Sequence, residues 1–154
     1  MNTILSYKPF ITWLLFAAVA LSTPTFAESP IYTGVFSSKA VSGYDTVAYF
    51  TESKAVEGKA KYSTEYNDTD WYFSSQKNLA LFKTDPEKYV PQYGGYCSWA
   101  VAHNSTAKGD PTQWTVHDSK LYLNYDTGIQ EKWLKAKSTL ITKANKNWPQ
   151  VLDQ

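Results

Sequence analysis

Arginine is missing from this chain: all fifteen cationic side chains are lysine, set against fourteen acidic ones. Phosphate recognition draws on clustered cations and above all on the forked guanidinium, so nucleic acid is excluded as a partner. Cysteine occurs once, at Cys97. A single thiol forbids an internal disulfide and leaves an oxidised sulfur with no second cysteine to resolve it. Long apolar runs are also missing. The longest, Phe10 to Leu21, falls short of the ~20 residues that span a bilayer. The sequence has no phosphate-cradling glycine motif, no paired-cysteine redox motif and no zinc-peptidase motif. It shows no tandem repeat, no low-complexity tract and no linker that would divide it.

The short apolar run has a meaning of its own. Lys8 precedes it, and Pro24 and Thr25-Phe26-Ala27 follow it, which is the layout of a secretory signal with a small-residue cleavage site. The expectation is a leader over 1–27, a mature chain over 28–154 beginning at Glu28, and a periplasmic or secreted location with no membrane span in the mature form. Export to an oxidising compartment without a disulfide puts the stabilising burden on aromatic burial. Six Trp and twelve Tyr, all but Trp13 and Tyr7 beyond the cleavage site, supply it.

Local patterning predicts an α+β domain. Gly43 to Phe50 reads as a turn running into a short strand. Lys61–Tyr66 and Trp71–Phe73, around Asn67-Asp68-Thr69-Asp70, form a β-hairpin. Ser74 or Ser75 caps a helix that starts near Gln76 and ends at Pro86. Gln113–Val116 and Leu121–Tyr125 form a second hairpin around His117-Asp118-Ser119-Lys120. A final helix, capped by Asp126 or Thr127, carries Ile129, Trp133, Ala136, Leu140, Ala144 and Trp148 on one stripe and ends at Pro149. The large aromatics, Trp71, Tyr72, Trp99, Trp114, Trp133 and Trp148, are expected to share one core.

Between the two hairpin units lies Tyr93-Gly94-Gly95-Tyr96-Cys97-Ser98-Trp99-Ala100-Val101-Ala102-His103-Asn104. The glycines suit a tight turn and the Ala-containing stretch after Cys97 suits one or two helical turns. Such a turn places the sulfur at a helix N-terminus, where unpaired amides favour a thiolate. The alternative is that Cys97 is a small buried hydrophobe. Cys97 is the candidate catalytic residue, with Tyr93, Tyr96, Trp99, Asp110 and Trp114 as candidate binding residues around it. Cys97 and His103 are the candidate metal ligands, with His117 as a third donor, since sulfur and imidazole suit copper and zinc.

The run from Trp71 to Phe82, followed by Asp85-Pro86-Glu87-Lys88-Tyr89, resembles a YHS domain. Gly43 to Phe50 resembles that domain's opening. The longer pattern through Gly94-Gly95-Tyr96-Cys97, Gly109-Asp110-Pro111, Lys120–Asn124 and Asn147-Trp148-Pro149 is similar to exported bacterial YHS-domain proteins, some of which carry selenocysteine at the position of Cys97. The resemblance implies a YHS/TRASH-like core over the first hairpin, with the second hairpin and last helix as an extension. It also implies thiol chemistry at Cys97, performed on a small thiol, a metal or a partner protein. Metal-handling YHS domains use cysteines where this chain has Ser74, Asn78 and Ala48, so a thiolate metal site of that sort cannot form. Copper or another soft metal held at Cys97 is the alternative reading, and an aromatic-lined small-molecule binder is the third.

Overall fold

The computed structural model describes residues 27–154. The leader and its cleavage site fall outside the described residues, apart from Ala27.

Ten regular elements follow in order: α1 (Ala48–Thr51), β1 (Lys59–Tyr66), β2 (Thr69–Phe73), α2 (Gln76–Thr84), α3 (Pro86–Tyr89), α4 (Ser98–Ala102), β3 (Asp110–His117), β4 (Lys120–Asn124), α5 (Thr127–Lys135) and α6 (Lys137–Asn147). β1 with β2, and β3 with β4, make two separate antiparallel pairs, and a helix follows each. The expected α+β architecture with two hairpins is the one observed. Each hairpin turns on two residues at positive φ, Asn67 and Asp68 in the first and Asp118 and Ser119 in the second. That backbone matches the right-handed twist of the strands it joins, and Asn and Asp adopt it most readily.

Two elements differ from expectation. Residues 47–50 are not a strand, because Asp45 Oδ1 accepts from the amides of Val47 and Ala48 (2.9 and 3.2 Å) and so starts α1. The last helix is broken at Ala136, whose φ of −129° and ψ of 23° end α5 and redirect α6. The break lets buried Trp133 on α5 and buried Leu140 and Ala144 on α6 meet the interior from two directions. Asn147 then ties α6 to α4 by donating to the Val101 carbonyl (2.8 Å).

The aromatics occupy two cores rather than one. Val47, Tyr49, Trp71, Phe73, Leu79 and Phe82 form the first. Tyr93, Tyr96, Val101, Tyr122, Trp133 and Leu140 form the second, with Trp99 and Trp148 against it. β4 is the wall between them. Successive side chains of a strand point to opposite faces, so Leu121 and Leu123 enter the first core while Tyr122 enters the second.

A repeat absent from the sequence pattern emerges from the backbone. A turn at Ala40–Gly43 with Val41 and Ser42 at positive φ leads to α1, and a turn at Gln92–Gly95 with Tyr93 and Gly94 at positive φ leads to α4. The Tyr44 amide donates to the Val41 carbonyl, as the Tyr96 amide does to the Tyr93 carbonyl; Asp45 N–H reaches Val56 O as Cys97 N–H reaches Ala107 O. Both hairpins carry an irregularity near the open end, between Lys59 and Ser63 and between Asp110 and Trp114. Both following helices begin on a side-chain cap, Ser75 accepting from Asn78 N–H and Asp126 from Ile129 N–H. Even the buried hydroxyls without a partner correspond, Thr46 Oγ1 in one half and Ser98 Oγ in the other. The chain is thus one unit built twice, over 40–84 and 92–135. The hairpin and helix that the sequence presents as an extension repeat the element order of the first unit.

Candidate functional site

Turn for turn, Cys97 stands in the second unit where Asp45 stands in the first. The segments Ser42-Gly43-Tyr44-Asp45-Thr46-Val47-Ala48 and Gly94-Gly95-Tyr96-Cys97-Ser98-Trp99-Ala100 run through the same turn. Asp45 is fully buried, and its carboxylate accepts five hydrogen bonds. Oδ1 takes the amides of Val47 and Ala48. Oδ2 takes the Ser74 amide (2.8 Å), Ser74 Oγ (2.7 Å) and Asn78 Nδ2 (2.7 Å). Ser74, Asn78 and Ala48 are the positions at which the resemblance implies cysteine ligands. They converge in space, and a closed carboxylate knot fills the place.

In the second unit three main-chain amides, of Ala100, Tyr125 and Trp99, lie near the Cys97 sulfur. They correspond to Ala48, Ser74 and Val47. The side-chain donors have gone, since Tyr125 and Ile129 stand where Ser74 and Asn78 stand in the first unit. A cavity of about 270 Å³ lies here, lined by Cys97, Trp99, Ala100, His103, Thr106, Tyr125 and Ile129 among others.

Cys97 is 1% exposed. Burial pushes its thiol up from the ordinary value, against the three amides, which pull it down. The expectation of an acidic thiol at a helix N-terminus is therefore overturned. α4 is barely more than one turn long, so its dipole is small, and desolvation of a charged sulfur wins. The resting form is a thiol, 3.9 Å from Asn124 Oδ1. Asn124 is fully buried and its orientation is set by a relay. Gln130 Nε2 donates to Trp114 O (2.9 Å) and Thr115 Oγ1 (2.8 Å), which turns Gln130 Oε1 toward Asn124 Nδ2. Asn124 Oδ1 is thereby left facing the sulfur and the Trp99 amide (3.2 Å). Sequence reading missed Asn124 and Gln130; nothing in their local pattern separates them from strand-end and helix-surface residues.

The other candidate residues divide. Trp99 and His103 join Cys97 in the cavity wall, with their rings stacked at 3.9 Å between centroids. His103 Nδ1 lies 2.7 Å from the Trp99 carbonyl. A carbonyl only accepts, so Nδ1 carries a proton and donates it there. Tyr93 and Tyr96 turn away. Tyr93 packs on Tyr122 and Trp148 and donates to Asn145 Oδ1 (2.8 Å), whereas Tyr96 donates to Ser29 O (2.8 Å). Asp110 Oδ1 caps its own loop, accepting from Thr112 N–H and Oγ1 (2.8 and 2.7 Å). The Trp114 ring packs on Tyr49, and its carbonyl serves the Gln130 relay. His117 pairs with Asp118 at the hairpin tip (3.4 Å), the opposite end of β4 from Asn124. Among the described residues no three His, Cys, Asp or Glu side chains cluster as a metal site, and no helix is long and apolar enough to cross a membrane.

The YHS domain family model matches residues 47–93. That match begins in the Asp45 turn and ends as the second unit opens, and it supports the YHS resemblance for the first unit. No curated protein matches the chain, and no solved structure does.

Proposed function

We propose that this is an exported protein with a thiol-centred site, in which Cys97 reacts in trans with a small molecule that enters the cavity beside it. The observation that carries this reading is the opening of the second unit at its sulfur. The first unit closes the equivalent position with side-chain donors, while the second withdraws them and leaves room. With no second cysteine in the chain, any disulfide Cys97 forms is a mixed one with an outside thiol. The short apolar run, lysine-led and ending in Thr25-Phe26-Ala27, supports an exported, periplasmic or secreted chain that starts at Glu28. Iodoacetamide alkylation of the folded protein, followed by intact mass, tests the thiol reading. Modification of Cys97 without denaturant supports it, and a sulfur reached only after unfolding refutes it.

The match to a family associated with metal handling, together with His103, favours a second reading. Cys97 and His103 share one cavity wall, and Nδ1 is anchored on a carbonyl as metal-bound imidazoles commonly are. One sulfur and one imidazole suit Cu(I). Copper retained by the wild type through desalting and lost equally in Cys97→Ser and His103→Ala supports this reading over the first.

A further inference from the structure

The element order repeats one step beyond the two hairpin units. α2 runs into α3 as α5 runs into α6, and each second helix is followed at once by a residue and a proline, Val90-Pro91 and Trp148-Pro149. The two halves bring these matching pieces to one cavity of about 540 Å³, which shares no lining residue with the cavity at Cys97. The first half supplies Tyr66 and Asn67 at its hairpin tip, Glu87 on α3 and Val90 after it. The second supplies Lys120 at the start of β4, Asn145 on α6 and Trp148 after it. Cavities of this size at a seam between structural units are where small molecules are commonly bound.

The lining between the halves is held in place. Gly94 has a φ of +59° and no room for a Cβ against the Pro30 carbonyl. The Tyr32 amide donates to the Gly94 carbonyl (3.0 Å), which straps the Pro30-Ile31 segment to the cavity it lines. Buried Tyr93 donates to Asn145 Oδ1 (2.8 Å). That bond orients the Asn145 amide and leaves its Nδ2 without a partner among the described hydrogen bonds. Charge divides the halves where the backbone does not. Glu87 is the one acid of the lining and Lys120 the one cation. They stand too far apart to pair, since the ion pair found among the described residues is His117 with Asp118. A ligand that answers both must carry its own two charges apart. A dipeptide does so, whereas a single amino acid holds both on one carbon.

We propose that the seam cavity binds a small zwitterionic peptide of about two residues. Its ammonium meets Glu87, its carboxylate meets Lys120, and an apolar side chain packs on Val90 and Trp148. The side-chain amides of Gln92 and Asn145 serve the peptide group between the two ends. This site stands apart from the thiol reading of Cys97.

The test is titration of the folded protein with millimolar alanyl-leucine, read by calorimetry and by tryptophan fluorescence. N-acetylated and C-amidated alanyl-leucine are the matched probes, and maltose is a neutral one. Alanyl-leucine should bind, and each blocked form should bind about fivefold more weakly, the upper end for an exposed ion pair. Glu87→Gln should lower the affinity for alanyl-leucine by the same factor and no longer distinguish the acetylated form. Lys120→Gln should do so for the amidated form. Both side chains are exposed, so both variants should melt as wild type does. The proposal is overturned if alanyl-leucine does not bind, if the blocked forms bind as well as the zwitterion, or if maltose binds in its place. Variants that keep full affinity and full discrimination between the probes overturn it as well.

Discussion

Asp45 gives the most severe single test of the fold as described. Truncation to Ala removes an acceptor that takes five hydrogen bonds in a fully buried site. Ser74 Oγ and Asn78 Nδ2 belong to side chains that can turn to other partners. The amides of Val47, Ala48 and Ser74 cannot move without undoing α1 or the end of β2. A buried donor left unsatisfied costs ~1–3 kcal/mol, so three of them cost about 3 kcal/mol at the low end. The low end is the better guide because water can enter the space a carboxylate leaves. At an m-value of ~1.5 kcal/mol/M, the urea midpoint should fall by about 2 M. Asp45→Asn is the sharper control. It keeps the shape and Oδ1 but turns an amino group toward the Ser74 amide and Asn78 Nδ2, so it should also lose more than ~1 kcal/mol. A midpoint for Asp45→Ala within about 0.3 M of wild type, at a typical m-value, would mean that the carboxylate knot does not hold the first unit together.

Other outcomes follow from the same geometry. A Cβ at Gly94 would overlap the Pro30 carbonyl, and its φ is +59°, so Gly94→Ala should cost roughly 1–3 kcal/mol in urea unfolding. Trp133→Ala empties the centre of the second core and should cost ~3–5 kcal/mol, enough to unfold the chain or nearly so; near-wild-type melting would show that α5 is peripheral. Burial raises the Cys97 thiol, so its alkylation rate should still be rising above pH ~8.5, the free-thiol reference, and a plateau below that would contradict the burial argument. The folded state then holds the thiol proton longer than the unfolded one, so stability should decline as pH rises above ~8.5. Cys97→Ala should abolish that first decline. The later one, above ~10 where free tyrosine ionises, should persist because burial also raises Tyr49, Tyr93 and Tyr96.

How far the sequence could be read depended on the range of the cause. The hairpins were legible because Asn67-Asp68 and Asp118-Ser119 act locally, and the helix starts because Ser75 and Asp126 cap their own amides. The break at Ala136 was not, since a stripe of apolar residues looks the same whether one helix or two carries it. Asp45 looked like a turn residue bonding its own backbone, and Oδ1 does that; its reach to Ser74 and Asn78 depends on how β2 returns. At Cys97 the local signal, a turn followed by a short helix, was correctly seen and wrongly weighed. Burial by residues distant in sequence decides the thiol's acidity. The duplication escaped notice because only Gly43 with Gly95, Tyr44 with Tyr96 and Ala48 with Ala100 are identical across the two turns, while the shared backbone is carried by different side chains.

The Glu28 amide donates to the Leu152 carbonyl (2.9 Å) and the Glu28 carboxylate takes the Thr106 hydroxyl (3.0 Å). The two ends of the described chain therefore meet beside the loop that borders the Cys97 cavity. Joining them and reopening the chain between Tyr89 and Gln92 would give a cyclically reordered protein with the thiol-bearing half synthesised first. If that molecule folds, neither half serves as the template for the other, and each carries its own instructions. A reporter fused at Glu28 or after Leu152 would then sit at the rim of the reactive site rather than at a neutral edge, and labelling experiments on Cys97 should leave both ends bare.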